Sequence, residues 1–189
     1  MNLLSAQALE RIGRESAKYP AEQRQSAVMS ALAIAQDEHG WLPDEAMEAV
    51  AKALGMAPVA VYEVATFYNM YNLKPAGRHK VTVCTNLPCA LSGGVEAAEH
   101  LKQTLGIGFN ETTADGCIAL REGECLGACG DAPVLLVDNK RMLGNMSSDK
   151  LDSLVMAVVR LALGASVRVV EPRAVADEVD ALARRLNQR

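Results

Sequence analysis

Apolar positions in the first third of the chain recur at helical spacing, punctuated by proline and glycine. Ser5 reads as the N-cap of a helix that runs towards Lys18 and stops at Pro20. Val28, Leu32 and Ala35 fall at i, i+4 and i+7 of a second helix, closed by Gly40. A third opens at Leu42-Pro43-Asp44, with the proline in its first turn, and carries Met47, Val50, Ala51 and Leu54 on one face before Gly55. The fourth starts at Pro58 and carries Val61, Val64, Ala65 and Tyr68. Such stripes predict the core of a small helical bundle rather than a cofactor box.

The pattern changes after Pro75-Ala76-Gly77. HKVTVC alternates as a strand with Val81 and Val83 on one face, and a loop follows. Ser92-Gly93-Gly94 then opens a helix with Val95, Ala98, Leu101 and Leu105 facing inward. After the turn signal Asp115-Gly116, CIALREGEC reads as a second strand with Ile118 and Leu120 together. APVLLVDNKRMLGNM predicts two strands joined at Asp138-Asn139. A last helix from Ser147 or Ser148 carries Leu151, Leu154, Val155, Val158 and Val159. The order β-α-β-β-β-α is that of a thioredoxin-like domain, though order alone permits other α/β folds.

These shifts predict a helical bundle over residues 1–75, an α/β domain over 78–165 and a helical tail over 166–189. In the tail, Val175, Val179, Leu182 and Leu186 form a stripe, with Arg173, Arg184 and Arg185 elsewhere. A loosely packed terminal helix is the simpler expectation there, a docking helix the sharper one.

Composition narrows the function classes. The 189 residues carry a formal charge of −4, which argues against a nucleic-acid binder that needs a basic face. No apolar run reaches membrane-spanning length, which predicts a soluble chain without direct membrane insertion. MNLLSAQALERIGRE has the pattern of neither a secretory signal nor an Arg-rich transit peptide. Five cysteines, an odd number, then point to a reducing compartment where thiols bind metal or do redox work.

Four of those cysteines form two pairs, Cys84/Cys89 and Cys125/Cys129. Cys84 and Cys125 sit where the first and second strands end. In a right-handed βαβ unit both therefore emerge at the same carboxyl edge, each with its partner one short loop further on. Two pairs suit a [2Fe–2S] cluster, which asks for two thiolates per iron. A four-cysteine zinc site has the same ligand count, and spacing alone does not decide between them. Disulfides are disfavoured by compartment. A thioredoxin-type dithiol wants C-x2-C, which is absent. Leu87, Leu91 and Leu126 are candidates to shield the site, and the start of the helix over 92–105 could aim its positive end there. Cys117 opens the second strand and reads as a small hydrophobe.

The segments EHGWLPDEAMEAVA, VYEVATFYNMY, VTVCTNLPC and GECLGACGDAPV together resemble the NuoE-type subunit of NADH:quinone oxidoreductase, respiratory complex I, over residues 5–165. The resemblance implies a helical bundle followed by a thioredoxin-like ferredoxin domain. It implies that Cys84, Cys89, Cys125 and Cys129 hold one [2Fe–2S] centre of the type called N1a, and it makes zinc remote. It also implies a NuoF-like flavoprotein partner in the peripheral arm, carrying FMN and NADH and exchanging single electrons with this chain. The host complex is then cytoplasmic and attached to the inner membrane, or on the matrix side if mitochondrial. No G-x-G-x-x-G or Walker motif is present, so no NADH site is expected in this chain. Equivalent subunits of NAD-linked hydrogenases and formate dehydrogenases are the alternative. Gly123 departs from the family pattern, where a more β-branched residue is expected, and would weaken its strand. Cys117 departs too.

Two rivals come from other classes. MEAVAKALGMAPVAVYEVA has the layout of a helix-turn-helix regulator, but residues 58–71 contain no Lys or Arg to contact DNA. A thiol enzyme of thioredoxin or peroxidase type would need a resolving dithiol.

Overall fold

The computed structural model describes residues 3–163 and 181–184. The chain divides into two compact units, Met1–Pro75 and Ala76–Arg189.

In the first unit Ser5 caps α1 (Ala6–Ser16), its hydroxyl accepting from the Ala8 N–H at 3.1 Å. A 3-10 stretch over Ala21–Ala27, unannounced by the apolar spacing, leads into α2 (Val28–His39). α3 (Asp44–Leu54) and α4 (Pro58–Phe67) follow. Pro43 stands at the N-cap of α3 rather than inside it. Leu32, Val50 and Val61 of the expected stripes pack in one core, joined by Ile12, Leu42 and Tyr71. The Tyr71 hydroxyl donates to the Met29 carbonyl at 2.9 Å. Tyr68 leaves the expected stripe because α4 ends at Phe67 and Tyr68 turns extended, partly exposed. α3 and α4 are bent by 119° at their break, and α4 exposes Val59, Tyr62 and Phe67 where a DNA reader would carry cations.

The second unit is built on a four-stranded sheet in the order β2-β1-β3-β4. β1 (His79–Cys84) lies parallel to β2 (Ile118–Gly123), with Cys84 opposite Gly123. β3 (Leu135–Val137) runs antiparallel to β1, and β4 (Arg141–Leu143) antiparallel to β3. The turn between them has Asp138 and Asn139 at φ 52° and 56°, closed by the Lys140 N–H on the Val137 carbonyl at 3.0 Å. Two short polar residues at positive φ make the type I′ geometry that suits a twisted hairpin. The outer edge of β2 is covered by residues 110–113, which bridge through Thr112 and Ala119.

Two more helices precede β2: the short α5 (Leu87–Ala90), in a stretch the sequence pattern reads as loop, and α6 (Gly94–Leu105). α7 (Ser148–Leu163) closes the fold. Val81, Val83, Ile118, Leu120, Leu135 and Val137 meet Leu101 of α6 and Leu154 of α7 on one face of the sheet. The inward stripe of α6 is Gly94, Ala97, Ala98 and Leu101, so Val95 points to solvent instead of joining it. On the other face Lys80 is buried, and Asp138 ties the strand to the hairpin. Its carboxylate accepts from the Lys80 N–H at 2.8 Å and lies 2.8 Å from His79 Nδ1.

Of the expected tail stripe, Leu182 lies in the helical segment 181–184 and packs on the core of the second unit. Val175, Val179, Leu186, Arg173 and Arg185 lie outside the described residues.

Candidate metal centre

The parallel pairing of β1 with β2 does what the topology rule demands: the last residue of each strand sits side by side at one sheet edge. Cys84 is that last residue on β1, buried, with its N–H donating to the Val134 carbonyl at 3.0 Å. Cys89 follows in α5, equally buried, and its thiol hydrogen-bonds with that of Cys84. Val134, absent from the sequence-based site, forms the floor between them, with Leu126, Ala128 and Ala132 packed around. Its only signal in the sequence is that it opens the apolar run into β3.

β2 ends at Gly123, two residues before Cys125, rather than at the cysteine itself. The Thr85 N–H makes a last hydrogen bond to the Gly123 carbonyl at 3.1 Å, after which the chain leaves the sheet as a loop. Cys125 and Cys129 are exposed on that loop. Cys129 starts a 3-10 turn to Asp131, whose carbonyl accepts from the Asn145 N–H at 2.6 Å and so anchors the loop to the end of β4. The charge of Cys129 acts on Cys89, and Leu126, the chain neighbour of Cys125, packs on the buried pair. Among the described residues no group of three or more His, Cys, Asp or Glu converges as a site for one ion.

Burial, the hydrogen bond with Cys84 and the charges of Cys84 and Cys129 push the Cys89 thiol up to about 11, against a hydrogen bond from the Val134 backbone. Thiols packed this way oppose one another's ionisation. A cation between them would relieve that opposition, and thiolate sulfur is the donor iron–sulfur and zinc sites use.

Two expectations about the surroundings are revised. Leu87 and Leu91 do not cover the site: they are 69% and 80% exposed, and Val95 is exposed as well. Leu126 alone of the three packs on the cysteine pair. Gly123 is no weak substitute for a branched residue, because a Cβ there would stand 2.8 Å from Thr82 Cγ2. Thr82 takes the space. The start of α6 does lie against the site, since a Cβ on Gly94 would stand 2.8 Å from the carbonyl oxygens of both Cys84 and Cys89. Cys117 is separate, buried in the main core with its thiol pKa raised by burial and by Asp115.

The model of the thioredoxin-like [2Fe-2S] ferredoxin family matches residues 12–159. The chain belongs to that family. This ferredoxin is 46% identical to an NADH-quinone oxidoreductase subunit of Rhizobium meliloti, over 77% of this chain and 85% of the relative. With a second such subunit, from Thermus thermophilus, the identity is 39%, over 74% of this chain and 77% of the relative. Among solved structures, the ferredoxin resembles the NAD+-reducing [NiFe]-hydrogenase in its air-oxidized state, with a TM-score of 0.58 and 21% identity. That match covers 68% of this chain and 22% of the hydrogenase chain, and shows shared fold.

Proposed function

We propose that this chain is the electron-transfer subunit of an NADH:quinone oxidoreductase of the complex I type, carrying one [2Fe–2S] cluster. Cys84 and Cys89 would hold one iron, and Cys125 and Cys129 the other. The observation that carries this is the β1–β2 pairing, which sets the buried Cys84/Cys89 pair beside the loop bearing Cys125 and Cys129. When bound, the cluster would supply one-electron chemistry. The protein supplies the thiols, the Val134 floor and the α6 N-terminus against which they are packed.

The partner is a NuoF-like flavoprotein holding FMN and NADH in the peripheral arm, on the cytoplasmic or matrix side. The exposure of Leu87 and Leu91, which flank Cys89 in the chain, supports a protein neighbour here. A second host has one observation in its favour: the fold similarity to the NAD+-reducing hydrogenase supports a corresponding diaphorase subunit.

Anaerobic purification decides the cofactor. About two irons and two acid-labile sulfides per chain are expected, with visible absorbance and a paramagnetic signal on reduction. A colourless protein with one tightly bound zinc sinks the proposal. Co-purification with a flavoprotein that oxidises NADH and reduces quinone, rather than consuming hydrogen, identifies the host.

A further inference from the structure

Beside the candidate site, the Thr85 hydroxyl donates to Glu122 Oε1 at 2.7 Å. Thr85 directly follows Cys84, and Glu122 precedes Gly123, the residue paired with Cys84 across the sheet. The contact therefore spans the two strands at the edge where they deliver their cysteines. It is reinforced from the backbone, because the Thr85 N–H also bonds the Gly123 carbonyl at 3.1 Å. A surface carboxylate ordinarily rotates freely and is averaged by solvent. This one is fixed to the first residue past a proposed ligand, and bond lengths alone keep it within about 12 Å of the Cys84 sulfur.

We infer that Glu122, held by Thr85, is a positioning residue for charge at the metal site and lowers its reduction potential. The inference rests on the [2Fe–2S] reading above. Reduction adds one electron to the site from the donor, with no bond made or broken in the protein and no proton required. An anion fixed nearby opposes that added negative charge, and net charge around the sulfurs is one of the determinants of such potentials. Because Glu122 is exposed, the interaction is that of two charges near water. It disfavours the reduced state by roughly two- to fivefold at low salt. For one electron this corresponds to about 20–40 mV.

The test is an anaerobic titration of the full chain with dithionite and mediators, following the paramagnetic signal of the reduced site. Glu122→Gln should raise the midpoint potential by about 20–40 mV at low ionic strength. Glu122→Lys should raise it by roughly twice as much, and both shifts should shrink in ~1 M salt as the Debye length falls to about 3 Å. Thr85→Val keeps the charge but frees the carboxylate, so it should give a smaller rise. If the Glu122 variants do not retain iron, Thr85→Val carries the test. A variant with full iron and sulfide whose potential matches the unmodified chain at low salt overturns the inference alone. So does a shift that salt leaves untouched. An unmodified chain without two irons and two sulfides overturns the parent reading, and this inference with it.

Discussion

The carbonyl oxygen of Cys84 lies 2.8 Å from the point a Cβ on Gly94 would occupy. The same Cβ would meet the Cys89 carbonyl at 2.8 Å, so the first residue of α6 is wedged between two proposed ligands. Backbone atoms cannot swing aside as a side chain can. Gly94→Ala is therefore expected to cost about 1–3 kcal/mol, as overpacking does, and to reduce iron content. Urea unfolding and an iron assay measure the two effects. Unchanged stability and iron would show that α6 is free to shift.

The cysteines differ sharply in what their loss should do. Cys84→Ser and Cys125→Ser each remove a proposed ligand and are expected to abolish or strongly alter the visible spectrum. Cys117 is a core residue, so Cys117→Ser should leave the spectrum intact and lower stability by about 1–3 kcal/mol through its buried hydroxyl. A spectrum lost with Cys117 and kept without Cys125 would reverse the assignment.

Lys80 makes stability depend on pH. It is 5% exposed. Burial, and then Arg121, bring its pKa from 10.5 to about 8, with Asp138 opposing. The folded chain thus gives up this proton before the unfolded one does. Between about 8 and 10.5 the unfolded state binds more protons, so this group makes the fold more stable as pH rises through that window. Below it, the cost of the buried ammonium is fully present. Lys80→Met should remove the rise and gain about 1–3 kcal/mol at pH 7. Urea midpoints for both proteins from pH 7 to 10 check this, and parallel curves would refute it.

Gly123 and Thr82 should behave as a coupled pair. Gly123→Val places branched bulk where only 2.8 Å separates a Cβ from Thr82 Cγ2, and is expected to cost about 1–3 kcal/mol. Thr82→Ser deletes that methyl and should recover part of the loss. Additive effects in a double-mutant cycle would mean the two positions do not share the space.

Much of the molecule was legible because its signals are local. Glycine, proline and capping Ser5 mark the helix ends, and Asp138-Asn139 announces its own turn chemistry. The shared edge of the two strand ends was legible for a different reason. The handedness of a βαβ unit is fixed, so strand ends 39 residues apart must share an edge, as Cys84 and Gly123 do. What escaped depended on packing across elements. Leucine at 87 and 91 states a hydrophobic side chain but not whether anything lies over it. Gly123 looked like a weakness because a sequence does not show that Thr82 fills its neighbour's space. The bond from Thr85 to Glu122 depends on strand register, which no local pattern encodes.

The crossover between β1 and β2 also divides the proposed ligands by their separation along the chain. Cys84 and Cys89 are five positions apart, at the end of β1 and in α5. Cys125 and Cys129 lie beyond 35 intervening residues, α6 included, which the β1–β2 pairing closes into a loop. Closure costs entropy that grows with loop length and is recovered only when the strands pair. On the proposed ligand set, two sulfurs thus come from one local segment and two depend on the β1–β2 pairing, so a chain whose strands had slipped would present two of the four.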